Sequence, residues 1–496
     1  MHLYKLLLQR KYNIAIFVLS LLVWGISIYP LLLSGIKGAF FSIDPDIVYL
    51  ANALSYVRQK VMWYHDHPGI PSIYVIAQSL MPLRIYSKFI QNQDFIDFVF
   101  NNYFAVVYYL RMFQSLIFVL GLNIFLHAVY RSTKKFTMVI LATLLLINYA
   151  SFLNIPWSIS AESLNFLLIS LWILIFSIYI QSENKLALSF MYILTGLLLA
   201  NRATNFVYFS SVLIILIMRR KEIIKNLTFL IGGFLAGIFP LIDRVDVVIK
   251  RMLFFAGASG VHGGSPGKII DLNLYLDSLR IFWDRDLVFS VLVITSSLLV
   301  LAMKSKISRL FFYICISLIL TILIFAKFPL QHYQMPNLLF LVFCFVVLVK
   351  ELKGLKIALL VFVLSYYSIQ SIVNYNNLAT KEIRKTVALE NFIVNNPHSK
   401  GELWEWARSK NFSYLWTNSY GNNIFDVNLK KANIRIYSGD ANLFEVCWDH
   451  LYLQNVTYTS SELFLNKSLN VTHVPEVDDI VLIESKHCVN SFRKEP

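Results

Sequence analysis

The chain has 496 residues, of which 57% are apolar and only 15% charged, against about 25% charged in an ordinary soluble domain. With a mean hydropathy of +0.61, this excludes both a water-soluble globular fold and a disordered chain, since no soluble fold hides so much apolar surface. The 44 Lys and Arg exceed the 29 Asp and Glu by 15, but they fall in short clusters between apolar runs, the mark of cytoplasmic loops rather than of a nucleic-acid footprint. Four cysteines exclude a disulfide scaffold and a zinc ribbon.

Eleven apolar runs are read as membrane spans: 13–35, 104–127, 136–155, 164–181, 186–201, 204–218, 227–242, 287–303, 308–326, 336–350 and 355–374, of which 186–201 and 204–218 are short and interrupted by Asn201 and Arg202. Lys5, Arg10 and Lys11 precede the first and place the N-terminus in the cytoplasm. The alternate loops then carry Arg131, Lys134 and Lys135; Lys185; Arg219, Arg220, Lys221 and Lys225; Lys304, Lys306 and Arg309; and Lys350, Lys353 and Lys356. Every loop counted as internal is basic. The apolar stretch 70–86, which holds Pro71 and Pro82, would invert all later loops if it crossed, so it reads as a re-entrant or interfacial helix on the outer side. The first run has no small-residue cleavage site after it and reads as an anchor. Three parts are expected outside: the loop 36–103, the loop 243–286 with its Gly-rich "GASGVHGGSPG", and the tail from about 376. The tail is rich in Asn, Ser, Lys and Glu. It is expected to begin as an amphipathic helix and to form a small α/β domain over 376–496, with β-like runs such as Asn433–Tyr437 and Ile480–Ile483. Cys447 and Cys488 lie there, on the oxidising side, as a disulfide or as two thiols; Cys315 and Cys344 read as packing residues.

In so apolar a chain, ionisable groups near membrane depth are the informative ones. Asp44 and Asp46 follow the first span in "FSIDPDIVYLANAL"; they suit a helix N-terminus and equally a general base. His65, Asp66 and His67 precede a Pro-Gly turn in "YHDHPGIP", as a polar loop lining a site or as partial metal ligands. Arg111 lies within a span. Glu162 opens another from the outer side, Arg202 sits in the break "NRATNF", and Lys327, His332 and Tyr333 stand in "KFPLQHYQMP". Each cation alone could snorkel to headgroups, but together they map to one membrane face. Arginines there suit a phosphate, and carboxylates suit deprotonation of a hydroxyl.

These residues resemble the motifs of the GT-C glycosyltransferases, above all the aminoarabinose transferases of lipid A and the protein O-mannosyltransferases. The likeness is carried by the acidic pair after the first span with Tyr49 shortly beyond, by "DHPGIP", by "YYLRMFQSL" and by "KFPLQHYQMP", and it spans about residues 1–375. It implies a GT-C-like transmembrane domain over that range. It also implies transfer of a sugar from a polyprenyl-phosphate sugar donor, with inversion, to a lipid, glycan or protein acceptor at the outer face of a bacterial inner membrane. Asp46, or Asp44 across Pro45, would be the base. Arg111, Arg202, Lys327, His332 and Tyr333 would hold the phosphate. Glu162 would orient the acceptor or, with the loop carboxylates, hold a divalent cation. A transporter or flippase of a lipid-linked or anionic substrate is the rival reading. It would more naturally place charges at the midplane and show repeated halves.

Overall fold

A computed structural model describes residues 2–35, 43–57, 69–95, 98–99, 102–149, 151–218, 222–257, 331–350 and 354–395, together with 276–277, 280, 291–292, 318–319, 404–405, 450–454, 469–473 and 480–485. The helices are α1 (His2–Ser34), α2 (Ile43–Val57), α3 (Ile70–Phe89), α4 (Tyr103–Thr133), α5 (Phe136–Ile147), α6 (Glu162–Ser182), α7 (Lys185–Asn201), α8 (Phe206–Met218), α9 (Ile223–Gly237), α10 (Val245–Gly257), α11 (Met335–Val349) and α12 (Gly354–Asn395). Short 3-10 turns stand at Ile155–Trp157, Ala203–Asn205, Phe239–Arg244 and Gln331–Gln334. Apart from 291–292 and 318–319, the expected spans 287–303 and 308–326 lie outside the described residues, as do Lys327, His65, Asp66 and His67, the Gly-rich loop beyond Gly257, the run 433–437 and Cys315, Cys447 and Cys488.

The protein is an integral membrane protein. Among the described residues four stretches of helix are long and apolar enough to cross a bilayer: Arg10–Leu33, Ala105–Thr133, Glu162–Ser182 and Lys356–Lys381. The first and last of these carry exposed apolar faces, as helices in lipid do: Ile14, Phe17, Leu22, Leu359, Phe362 and Tyr366 are all exposed.

Two expectations are corrected. The span anticipated over 227–242 is a pair of helical segments, Ile223–Gly237 and Phe239–Lys250, bent by 88°. Pro240 lies at the start of the second, where it has no N–H to continue the helix. The loop anticipated from 243 therefore begins as α10. The span anticipated over 136–155 ends as a helix at Ile147. The Asn148 side chain turns back to the Leu144 carbonyl (2.8 Å) and across to Ser368 Oγ (2.8 Å), and the chain continues through turns to Ile155–Trp157.

The chain forms two units. The first comprises Met1–Tyr29, Tyr64–Val75 and Leu110–Asn377. In it α7 packs closely along α9 and α6, and α11 lies against α5 and α6. The α7–α9 contact is nearly backbone on backbone: a Cβ on Gly196 would lie 2.2 Å from the Leu230 carbonyl oxygen, and one on Gly233 would lie 2.1 Å from that of Ile193. Only a residue without a side chain permits that approach. Helix α11, "MPNLLFLVFCFVVLV", is apolar on every side and is buried along nearly its whole length. Its Phe340 ring meets those of Trp172, Phe176 and Tyr208, mostly edge-on, in a cluster with centroid distances of 4.9–5.9 Å, and the Trp172 indole donates to Thr195 Oγ1 (2.9 Å). Cys344 is a buried packing residue of α11, as its apolar surroundings lead one to expect.

This unit has two chemically distinct ends. At one, the Tyr12 and Tyr130 rings meet at a tilt (5.2 Å between centroids) and Gln181 donates to the Arg131 carbonyl (3.1 Å). Lys135 donates to the Lys350 carbonyl, and Lys185 pairs with Glu222 (2.8 Å). The N-terminal segment and the loops that carry Arg131, Lys185, Glu222 and Lys350 thus meet at one end. Helix α6 carries Gln181 at that end and Glu162 at the other, about 30 Å away at 1.5 Å per residue.

The second unit comprises Pro30–Trp63, Ile76–Tyr109 and Leu378–Pro496. Arg84 donates to the Val57 carbonyl (2.8 Å), tying α3 to α2, and Tyr109 donates to the Ser79 carbonyl (2.9 Å). The tail holds a mixed sheet of β1 (Trp404–Glu405), β2 (His450–Gln454), β3 (Leu469–His473) and β4 (Ile480–Ser485) in the order β1-β2-β4-β3. Its register puts Leu451, Leu453, Val471, Val481 and Ile483 on one face.

Candidate active site

The end of the first unit opposite the basic loops holds the polar side chains. Three breaks in the apolar pattern build it. In "SISAES" the Ser160 hydroxyl accepts from the Glu162 N–H (3.3 Å), and Glu162 becomes the first residue of α6, where a carboxylate complements the helix dipole. In "NRATNF" α7 stops because Arg202 takes an extended conformation (φ −160°, ψ 130°). The chain makes the 3-10 turn Ala203–Asn205 and restarts as α8. In "QHYQMP" the turn Gln331–Gln334 leads into α11, with Pro336 in its first turn.

These breaks converge on Arg202. Its guanidinium forms a hydrogen-bonded ion pair with Glu162 Oε1 and lies 5.2 Å from the centre of the Tyr333 ring, within cation–π range. The two charged side chains are only 10% and 13% exposed. Glu162 Oε2 is buried and has no hydrogen-bond partner among the described residues.

A lattice of amides supports the pair. Ser72 Oγ, at the start of α3, donates to Asn201 Oδ1 (2.7 Å). Asn201 Nδ2 donates to the Ala161 carbonyl (3.4 Å) and to Asn165 Oδ1 (3.3 Å). Asn205 Nδ2 donates to the same Asn165 oxygen (2.6 Å) and to the Leu198 carbonyl (2.7 Å). Asn337 Nδ2 donates to Gln334 Oε1 (2.6 Å). All are buried; the bonds among Ser72, Asn165, Asn201 and Asn205 fix the two helix breaks that carry Glu162 and Arg202, whereas the Asn337–Gln334 bond is local to the turn before α11. On the same end, Tyr375 donates to the Ser27 carbonyl (2.5 Å) and its ring meets Trp157 edge-on.

The structure thus brings together Glu162, Arg202 and Tyr333 from three separate parts of the chain. Arg111 is fully buried in α4, with Gln114 one turn on and also fully buried. Asp44 and Asp46 fall in the first turn of α2, and His332 in the turn before α11; for these three only the backbone is described. Among the described residues no three His, Cys, Asp or Glu gather at metal-holding distance. Glu162 has one oxygen committed to Arg202, which leaves Oε2 for a cation or a hydroxyl.

Sequence reasoning missed Ser72, Asn165, Asn201, Thr204, Asn205, Gln334 and Asn337. A signal for two of them existed: Asn201 and Asn205, four residues apart in an apolar stretch, flank Arg202, and amides are costly there unless they bond to something.

No family model matches the chain, and no curated protein matches it. Among solved structures, it is similar over 95% of its length to ArnT from Cupriavidus metallidurans, solved with undecaprenyl phosphate bound. The match covers 97% of that chain, with a TM-score of 0.54 and 10% identity. The chain therefore shares the fold of that ArnT.

Proposed function

We propose that the protein is a membrane glycosyltransferase that takes a sugar from a polyprenyl-phosphate sugar donor and transfers it at the extracytoplasmic face. The observation that carries this reading is Arg202, held by Glu162 and Tyr333 at the end of the bundle remote from the basic loops, in a fold shared with a protein solved with undecaprenyl phosphate. The basic loops would lie in the cytoplasm, which puts the site, the loops 36–103 and 243–286 and the tail outside. The tail from 376 would be a small α/β domain, and the membrane a bacterial inner membrane.

In this reading Asp46, or Asp44, accepts the proton of the acceptor hydroxyl. The acceptor oxygen forms its bond to the anomeric carbon as the bond from that carbon to the phosphate oxygen breaks. The electron pair leaves with polyprenyl phosphate, and the configuration inverts. A departing phosphate dianion needs preorganised cations. Arg202 and Arg111 supply forked donors, with Lys327, His332 and the Tyr333 hydroxyl completing the set. His65, Asp66 and His67 would line the approach. Glu162 orients Arg202 and turns its second oxygen toward the substrate.

The test is binding and turnover by purified protein. Polyprenyl phosphate should bind, and Arg202→Lys should bind it more weakly, because a bidentate fork becomes a point charge. Release of polyprenyl phosphate from a labelled sugar donor should depend on Asp46 or Asp44. Movement of an unaltered lipid-linked substrate across sealed vesicles, without cleavage, would favour the transporter.

A further inference from the structure

Around the Arg202–Glu162 pair lies a group of buried polar atoms that find no partner among the described residues: Glu162 Oε2, Thr204 Oγ1, Asn205 Oδ1, Gln334 Nε2 and Asn337 Oδ1. They share one neighbourhood. Thr204 and Asn205 belong to the 3-10 turn that directly follows Arg202 and packs against α11. Gln334 directly follows Tyr333, whose ring lies under the same guanidinium, and Asn337 is joined to Gln334 by a hydrogen bond. Glu162 is bonded to Arg202 itself. All five residues belong to the first unit.

A buried polar atom without a partner is destabilising, and five around one ion pair are not what packing alone selects. Their chemistry restricts what could satisfy them. Three are acceptors only (the Glu162, Asn205 and Asn337 oxygens), one is a donor only (Gln334 Nε2), and the Thr204 hydroxyl is either. A phosphate offers only acceptors and cannot serve three acceptors; an acyl or prenyl chain serves none. Hydroxyl groups, each donor and acceptor at once, match the set. They can belong to a sugar ring or to trapped water.

We infer that Glu162, Thr204, Asn205, Gln334 and Asn337 form a subsite that reads the ring hydroxyls of the sugar carried by the polyprenyl-phosphate donor, beside the cation that holds its phosphate. This rests on the glycosyltransferase reading and deepens it. A site built to bond hydroxyls discriminates strongly against rings that lack them or point them elsewhere, because its own buried groups are then left unpaired.

The experiment compares binding of bare undecaprenyl phosphate with that of its glucosyl, mannosyl, galactosyl and arabinosyl esters, for the wild type and two variants. Thr204→Val is isosteric and removes one hydroxyl. The double variant Gln334→Met with Asn337→Leu removes both members of the bonded amide pair and leaves no new orphan between them. At least one ester should bind the wild type more tightly than the bare lipid phosphate. Thr204→Val should lower that advantage by about five- to tenfold, the equivalent of one hydrogen bond, and the double variant by more. Both variants should bind bare undecaprenyl phosphate as the wild type does, and Thr204→Val should melt no lower than the wild type without ligand. Three results overturn the inference while leaving the earlier reading in place, provided that bare phosphate binds. They are no advantage for any ester, an advantage unchanged in both variants, and a lowered melting temperature of Thr204→Val with the advantage intact, which would assign the atoms to structural water. If neither bare phosphate nor any ester binds, the glycosyltransferase reading falls and this inference falls with it.

Discussion

Glu162 and Arg202 offer the sharpest energetic prediction. Their side chains are 13% and 10% exposed and joined by a hydrogen-bonded ion pair. Removing one member of such a pair strands the other charge in a poorly solvated place, which typically costs about 3–5 kcal/mol. The residual exposure puts the expectation at the lower end, about 3 kcal/mol for Glu162→Ala or for Arg202→Ala, a shift of roughly 150-fold in the folding equilibrium. The double variant strands no charge, so its loss should fall short of the sum of the single losses by about 2 kcal/mol. The assay is SDS-driven unfolding in mixed micelles, followed by far-UV circular dichroism, without any polyprenyl ligand. Additivity within about 0.5 kcal/mol would refute the reasoning, since it would mean that the two charges are solvated independently. The folded double variant then serves a second purpose: it should fail to bind polyprenyl phosphate although its fold is intact.

Asn201→Leu removes the acceptor of Ser72 and the donor to Ala161 and Asn165, and should cost about 2–3 kcal/mol in the same unfolding assay, with Ser72→Ala costing less. Gly233→Val would drive a Cβ to 2.1 Å from the Ile193 carbonyl, whereas Gly232 has nothing within 4 Å; the first change should lower the melting temperature markedly and Gly232→Ala should leave it equal or higher. Alkaline-phosphatase fusions after residue 376 should be active and fusions in the Arg219–Lys225 loop inactive; the reverse pattern would put the polar end of the bundle in the cytoplasm.

How much of this was legible in the sequence depended on the range of the interactions. Apolar run length disclosed most helices, because lipid rewards it directly, and the break at Arg202 was visible as "NRATNF" between two apolar runs. The end of α5 at Ile147 was not visible: it is set by Asn148 reaching Ser368, 220 residues away. The 88° bend after Gly237 had a local cause in Pro240, but a proline also occurs inside α1 and α3 without ending them, so the residue alone does not decide. Charge alternation placed Glu162, Arg202 and Tyr333 on one side. It could not show that Glu162 is engaged by Arg202, since pairing is a matter of side-chain geometry across two helix breaks. The amide lattice stayed hidden because buried Asn and Ser look like any other polar residues until their neighbours are known.

The central claim, sugar transfer from a polyprenyl phosphate, is tested most directly by reconstituting the purified protein with radiolabelled polyprenyl-phosphate sugars and extracted envelope acceptors. Asp46→Asn and Asp44→Asn are assayed beside the wild type. Label should move to an acceptor with stoichiometric release of polyprenyl phosphate. One of the two Asp variants should lose about 10²–10⁴-fold in rate, or about 3–5 kcal/mol of barrier, with binding of polyprenyl phosphate unchanged. Asn at either position keeps the helix N-terminus served, so the loss would report proton acceptance. Binding of the sugar donor without cleavage in the wild type, or full activity in both Asp variants, would contradict the claim.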